Sequence, residues 1–344
     1  MTVNYNFKLN PFDHQKDSLE RGWDCTEFGY FMEMGTGKSK VLIDNMGMLF
    51  LAGKINFALV IAPKGVYRNW VAKEIPEHMS DDVPHRVIRW VSGPNKKQKE
   101  EMRSVQDPFA GLTIFVMNVE AFSSLKGQTA GEWMGRALGS NGMIAIDEST
   151  TIKNHKAKRT KSLLKIAAKF KFRRLLTGSP VTKSPMDIYS QCEFLRPGLL
   201  GFESYYAFQG RYAVVQRKTM GMAAFQQIIG FRNLDELRMD ALEEIINEHD
   251  GKAIIWSRFR HDIMGITKML NDKFGQGCAA SYFGDTSDED RAAAVLNFQN
   301  PDHPLKYFVG NPSTAGYGLT LTEANLVVYY ANDFNLETRV QSED

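Results

Sequence analysis

The chain is short of cysteine, of long apolar runs and of net charge, and each shortage removes a class of function. Cys25, Cys192 and Cys278 are far apart and form no Cys-x-x-Cys pair. That argues against a zinc site or a disulfide framework and fits a reducing compartment. No stretch approaches the roughly 18 consecutive apolar residues of a membrane span. The first residues include Asn4, Asn6, Lys8 and Asp13, where a signal peptide needs an apolar core. The expectation is a soluble, intracellular protein. A formal net charge of +2 gives no global field for nucleic acid, so any such surface must be a local patch. Internal repeats, low-complexity tracts and long Pro/Gly/Ser linkers are also missing.

What is present is 344 residues, 43% of them apolar and 24% charged, enough for two medium domains with buried cores. Short β-rich runs alternate with helical patterns, which predicts α/β architecture with mainly parallel sheets. Strands are expected at Phe57 to Ala62, Val87 to Trp90, Thr113 to Val116, Met143 to Ile146 and Arg174 to Thr177. From Met186 to about Asp250 the pattern turns to helix and loop rich in aromatics. After Gly251 strands return at Ala253 to Trp256, Ala279 to Phe283, Lys306 to Val309 and Leu326 to Tyr330. Ser287 with Asp290 caps an expected helix over Arg291 to Phe298. Two sheet-based lobes joined by a helical segment, with a boundary near residue 250, follow from this order.

Met34-Gly35-Thr36-Gly37-Lys38-Ser39 is the segment around which the rest is arranged. It follows a short aromatic run (Phe28, Tyr30, Phe31) and precedes a helical pattern over Lys40 to Leu51. Strand, glycine-rich turn and helix start together cradle a nucleotide phosphate chain. Gly35 and Gly37 let successive N–H groups converge on one anion. Lys38 is placed to reach the β- and γ-phosphates of ATP, and the Ser39 hydroxyl to complete a Mg²⁺ shell. The general pattern has glycine five positions before Gly37, where this chain has Met32.

Ile144-Ala145-Ile146 runs into Asp147 and Glu148, the two acids an NTPase needs opposite its phosphate loop. Asp147 can hold the Mg²⁺ and Glu148 can polarise the attacking water. Thr177 and Ser179, in Leu176-Thr177-Gly178-Ser179-Pro180, end the next strand and can link nucleotide state to movement. Between them, Lys153 to Arg174 holds ten Lys or Arg and no acid, enough to neutralise several phosphates. Lys153 and Asn154 lie nearest the acid pair. Ala315-Gly316-Tyr317-Gly318-Leu319-Thr320 follows a strand in the second lobe and permits close backbone approach to a ligand.

Taken in order, these segments resemble the motifs of helicase superfamily two, and most closely its Swi/Snf-type DNA translocases, in a compact viral or bacterial-like form. Phe12-Asp13-His14-Gln15 resembles the adenine-reading segment, Met34 to Ser39 motif I, and Ile61-Ala62-Pro63-Lys64 with Asn69-Trp70 motif Ia. Asp147-Glu148-Ser149-Thr150 resembles the Asp-Glu-x-His box with Thr150 in place of histidine. Lys153-Asn154 matches the Lys-Asn that follows it, and Leu176 to Pro180 resembles motif III. Asp187-Ile188-Tyr189 through Phe194-Leu195-Arg196-Pro197-Gly198 is similar to a Swi/Snf-type signature that simpler RNA helicases lack. Ile254 to Phe259 resembles motif IV, and Gly284, Thr286, Ser287 and Arg291 fit the segment after it. Ser313 to Leu321 fits motif V, and Asp333-Phe334-Asn335 with Gln341 and Asp344 the opening of motif VI.

The resemblance implies two RecA-like P-loop lobes with mainly parallel sheets: residues 1–185, a helical connection over 186–250, and residues 251–344. It implies ATP and Mg²⁺ as ligands, with Gln15, Gly35, Thr36, Gly37, Lys38, Ser39 and Gly318 on the nucleotide. Ser39 and Asp147 would hold the metal, and Lys38, Asp147 and Glu148 would be catalytic. Coupling would fall to Thr177, Ser179, Thr320 and Gln341. Double-stranded DNA is the implied partner, its backbone met by Lys64, Lys153, Asn154 and Arg258 without reading sequence. The implied activity is ATP-dependent translocation on duplex DNA, in the cytoplasm of a bacterial or virus-infected cell, or in a nucleus. Motif VI in the family continues with arginines past the position of Asp344, so ATP is expected to bind this chain and to be hydrolysed poorly. A strand-separating helicase and a nucleotide-gated DNA-binding protein are the alternatives.

Overall fold

The computed structural model describes residues 3–181, 184–220, 223–247, 249–315 and 321–330. The chain divides into two compact units, Met1–Gly230 and Phe231–Asp344.

The first unit is built on β1 (Glu27–Phe31), β2 (Phe57–Ala62), β3 (His85–Arg89), β4 (Leu112–Asn118), β5 (Gly142–Asp147) and β6 (Phe172–Thr177). They form one sheet in the order β1-β6-β5-β2-β4-β3, and every neighbouring pair is parallel. β2, β4 and β5 are buried along their whole length. Their sequences therefore read as unbroken apolar runs, because both faces of a parallel sheet are covered. Alternate residues of β2 enter different cores. Ala58, Val60 and Ala62 pack with Val41, Leu42 and Met46 of the helix Lys38–Leu51, while Phe57, Leu59 and Ile61 pack with Phe122, Leu163 and Ile166.

Residues 205–231 show where tertiary context overrides local pattern. Helices occur at Tyr189–Leu195, Tyr205–Tyr212 and Leu234–Asn247, as expected for this segment. Between them, however, lie two further strands, β7 (Ala213–Met220) and β8 (Ala223–Phe231), forming a sheet of their own. The expectation of helix and loop alone across 186–250 is thus corrected. Val214, Ile229 and Phe231 are exposed on this ribbon. With apolar residues left exposed, the ribbon lacks the clean inside–outside alternation that marks a half-buried strand. Phe202, Phe208 and Tyr212, just before the ribbon in the chain, make an edge-on aromatic cluster.

The second unit holds β9 (Lys252–Trp256), β10 (Ala279–Tyr282), β11 (Tyr307–Gly310) and β12 (Ala324–Tyr329), all parallel in the order β10-β11-β9-β12. Leu242 and Ile246 of the helix Leu234–Asn247 enter its core beside Ile255 and Ile263, so this helix belongs to the second unit. Ser287 Oγ accepts from the Asp290 N–H at 3.1 Å and caps the helix Asp288–Gln299 as expected. Among the described residues no helix is long and apolar enough to cross a membrane.

Arg174 on β6 is fully buried, which removes it from the basic run as a phosphate contact. Its guanidinium donates to Asn45 Oδ1 (2.8 Å), Thr26 O (3.3 Å), Arg173 O (2.9 Å), Gly22 O (3.1 Å) and Trp23 O (3.2 Å). Arg173 in turn pairs with Glu27 at 2.8 Å. Replacing Arg174 by leucine strands those acceptors without water, and Arg174→Leu is expected to lower unfolding free energy by about 3–5 kcal/mol, read from urea denaturation.

Candidate functional site

Three loops leave the sheet of the first unit at neighbouring strand ends. β6 lies between β1 and β5, with Phe31 opposite Thr177 and Asp147 opposite Leu176 in the parallel registers. The glycine loop after β1, the Thr177–Ser179 turn after β6 and the Asp147–Glu148 pair ending β5 therefore emerge side by side. Ligands of open α/β sheets bind at such carboxyl ends. Gly178 seals the junction: a Cβ there would sit 3.3 Å from Met34 Cγ and 3.4 Å from Met34 N.

The loop has the backbone its glycines predict. Gly35 and Gly37 have φ of 83° and 82°, and Gly37 is the N-cap of the helix Lys38–Leu51. The first-turn amides of that helix have no carbonyl of their own to serve, and its positive end faces the loop. Ser39 lies half-buried in this first turn. Lys38 is buried, and its Nζ donates to Met32 O (2.9 Å) and Glu33 O (2.7 Å). Gln15 binds the same loop. Its Nε2 donates to Thr36 O at 2.9 Å and its Oε1 accepts from the Phe12 N–H at 3.1 Å. A pocket of about 330 Å³ opens there, lined by Leu9, Phe12, Gln15, Gly35, Thr36 and Gly37 among others.

Asp147 is buried, and its Oδ2 accepts a hydrogen bond from Trp70 Nε1 at 2.9 Å. Burial raises its carboxyl above the usual carboxylate range; the Trp70 bond and the Lys38 charge pull it down, and Glu148 pushes it up. Glu148 has φ 54°, a left-handed conformation unusual for a residue with a side chain. Strain of this sort concentrates where a side chain has to be aimed. Ser179 Oγ donates to Val181 O at 2.9 Å, and Thr177 Oγ1 accepts from the Ser179 N–H at 3.2 Å.

Two side chains in this arrangement carried no assigned role in the sequence. Trp70, in sequence merely one residue of the motif Ia segment, is the direct hydrogen-bond donor to Asp147. Gln191 is fully buried and joins three segments. It accepts from Ser149 Oγ (2.5 Å) and donates to Pro180 O (2.6 Å) and Asp187 O (2.9 Å). Its place inside the Asp187 to Gly198 stretch was the available signal.

The expected DNA contacts are distributed more widely. Lys64 is exposed just after β2, and its N–H approaches Glu120 Oε1 at 3.5 Å. Lys153 is half-buried and pairs with Asp187 at 3.6 Å; Asn154 is exposed and caps the turn by accepting from the Lys156 N–H at 2.9 Å. Both line a polar cavity of about 490 Å³ with His155, Tyr205, Gln226 and Gln227. Arg258 is exposed in the second unit, its guanidinium 5.8 Å from the Phe259 ring centre. Gly318, Thr320 and Gln341 lie outside the described residues, as does the motif VI segment.

Chemically, a phosphate-shaped backbone loop with a buried ammonium, next to a serine hydroxyl and a buried carboxylate, suits a polyphosphate and a hard divalent cation. A family description, the SNF2-related domain, matches residues 30–273, and the helicase conserved C-terminal domain matches residues 237–344. The Arabidopsis thaliana protein CHROMATIN REMODELING 24 is 21% identical over 66% of this chain, and the human transcriptional regulator ATRX 23% identical over 61%. The chain spans only 21% and 9% of the length of those two relatives. A Sulfolobus solfataricus SWI2/SNF2 ATPase core, solved in complex with double-stranded DNA, is 17% identical with a TM-score of 0.48, covering 95% of this chain and 83% of that one. With the SNF2-related domain spanning well over half of its residues, the chain belongs to the Swi/Snf-type family of helicase superfamily two.

Proposed function

We propose that this protein is an ATP-dependent translocase on double-stranded DNA. The observation that carries the reading is the meeting of the glycine loop, the Thr177–Ser179 turn and the Asp147–Glu148 pair at three adjacent strand ends, in a chain of this family. Gln15 reads the adenine; Gly35, Thr36 and Gly37 present amides to the phosphates, and Lys38 exchanges its two loop carbonyls for phosphate oxygens. Ser39 and Asp147 are the oxygen donors for Mg²⁺, which when bound neutralises charge on the terminal phosphates. Glu148 orients the attacking water. Thr177, Ser179 and Gln191 transmit nucleotide state, because they share hydrogen bonds with the segments that hold it. By the motifs they occupy, Gly318 is assigned to nucleotide binding, and Thr320 and Gln341 to coupling.

Lys64, Lys153, Asn154 and Arg258 take the DNA backbone, so binding is insensitive to sequence and sensitive to salt. ATP turnover measured with and without linear duplex, alongside displacement of a third strand from a triplex, tests the whole reading. Turnover that is slow but rises with duplex, and third-strand loss without duplex opening, are expected. Turnover indifferent to DNA, or strand separation of the duplex, overturns it.

Three variants probe the parts. Lys38→Ala should abolish ATP binding in a fluorescent-nucleotide titration while leaving duplex affinity in place. Lys153→Glu should do the reverse: weaker duplex binding, a salt slope smaller by about 1–2, and nucleotide affinity nearly intact. Trp70→Phe removes the one indole donor that lowers the Asp147 carboxyl, so that group protonates at higher pH than in the parent. Mg²⁺-dependent ATP affinity, followed from neutral to acidic pH, should therefore start to fall earlier in Trp70→Phe, with the two proteins converging at alkaline pH.

A further inference from the structure

On the first unit, at the β3 edge of the sheet, an open groove of about 560 Å³ lies between two helices. One wall is the helix Lys96–Arg103, which buries none of its own residues and offers Lys99, Met102 and Arg103 to the groove. The other is the helix Leu125–Leu138, whose Leu125, Thr129 and Trp133 recur every four residues and so share one face. Leu125 is 78% exposed and Trp133 37% exposed. The floor is Trp90, Val105, Phe115 and Met134. The indole N–H of Trp90 is buried with no acceptor among the described residues.

Charge at this groove has one sign. The ionisable side chains that line it are Lys99, Arg103 and Lys126, and no carboxylate does. Two tryptophans and two methionines supply a large, adaptable apolar surface, the composition of grooves that accept helices of varied sequence. Two helices with an apolar trough between them leave room for a third, laid in with anchors at i, i+3, i+4 and i+7. We propose that this groove docks an amphipathic helix of a partner protein, apolar along one face and flanked by Asp and Glu. Its anchors cover Leu125 and Trp133, and its carboxylates meet Lys99, Arg103 and Lys126.

The probe is a fluorescein-labelled peptide of about 16 residues, helical, with leucine and phenylalanine at the four anchor positions and glutamate flanking them. Two controls share its composition or pattern: a version with lysine for every glutamate, and a scramble that breaks the helical spacing. Fluorescence anisotropy with the full chain is expected to show saturable binding of the acidic peptide and at least tenfold weaker binding of both controls. Leu125→Glu and Lys126→Glu, both at exposed positions, should each weaken the acidic peptide by roughly tenfold with unchanged thermal unfolding. Absence of saturable binding overturns the proposal, as does equal binding of the three peptides or indifference to both variants. Sedimentation velocity of the chain alone provides one more check. Concentration-dependent self-association abolished by Leu125→Glu would assign the groove to a second copy and overturn it too.

Discussion

A guanidinium without water around it holds together the elements that frame the phosphate loop. Arg174 has five N–H donors, and five acceptors meet them, from the end of the helix Asp13–Gly22, from the residue before β1, from β6 itself and from Asn45 on the helix Lys38–Leu51. Desolvating a charge costs several kcal/mol and is offset only when geometry and hydrogen bonds are complete. None of these partners is a carboxylate. Two are carbonyls at the carboxyl end of a helix, where the dipole favours a cation. A lysine has three donors on a point charge and cannot bridge the same set. From Arg174 to Thr177 is three residues, about 10 Å along the strand. The helix that carries Gln15, the helix that begins at Lys38 and the strand that ends at Thr177 are thus fixed to one another a short distance behind the site.

In front of that anchor the site is held in a state that costs something to keep. Asp147 is buried with its carboxyl raised, Glu148 is left-handed, and the Lys38 ammonium is satisfied by two loop carbonyls. Each of these is relieved or repurposed by a ligand with the opposite character. A divalent cation favours the ionised carboxylate, and a phosphate outcompetes two neutral carbonyls for an ammonium because its hydrogen bonds are charge-assisted. Under the proposed function, Lys38 is the side chain that would exchange these carbonyl partners for phosphate oxygens. Gln191 links the segments around this site. It touches the segment after the acid pair, the turn after β6 and the Asp187 segment, so a shift in one is a shift in its hydrogen bonds to the others.

Much of the first unit could be read from residues because burial on both faces leaves an unmistakable mark. β2 is found at Phe57–Ala62, the range its apolar run predicts, and β5 and β6 extend the predicted runs by one or two residues. Parallel pairing then fixes which loops are neighbours, so the company of Gly37, Asp147 and Thr177 follows from strand order. What could not be read is what burial does not encode. β7 and β8 form a ribbon with exposed apolar residues on it, and no periodicity distinguishes it from loop. Trp70 and Arg174 look in sequence like an aromatic core residue and one more basic charge. Only tertiary structure reveals that one donates to the buried Asp147 carboxylate and that the other is fully buried. The division of the chain near 230 rather than 250 has the same origin, since the side of a boundary to which the helix Leu234–Asn247 belongs depends on which core takes Leu242 and Ile246.

The basic run illustrates how folding sorts charge by purpose. Of its ten cations, Arg174 is internal, Arg173 is committed to Glu27 and Lys165 to Glu132 at 2.8 Å. Leu163, Ile166 and Ala167 turn inward, and the exposed Lys156, Lys158 and Lys161 gather at the beginning of the helix Lys158–Ala167, directly after Lys153 and Asn154. His155, in the middle of that group, reports on the field they make. Burial is the larger cause that keeps its imidazole below the ordinary histidine range, and the charges of Lys156 and Lys161 add to it. Stacked 3.4 Å from Tyr205 and shifted mainly by burial, the ring adds little to the repulsion among those lysines. The exposed charge of the run is therefore uneven: Lys156, Lys158 and Lys161 cluster where the helix begins, and Lys165 and Lys171 follow further along the chain.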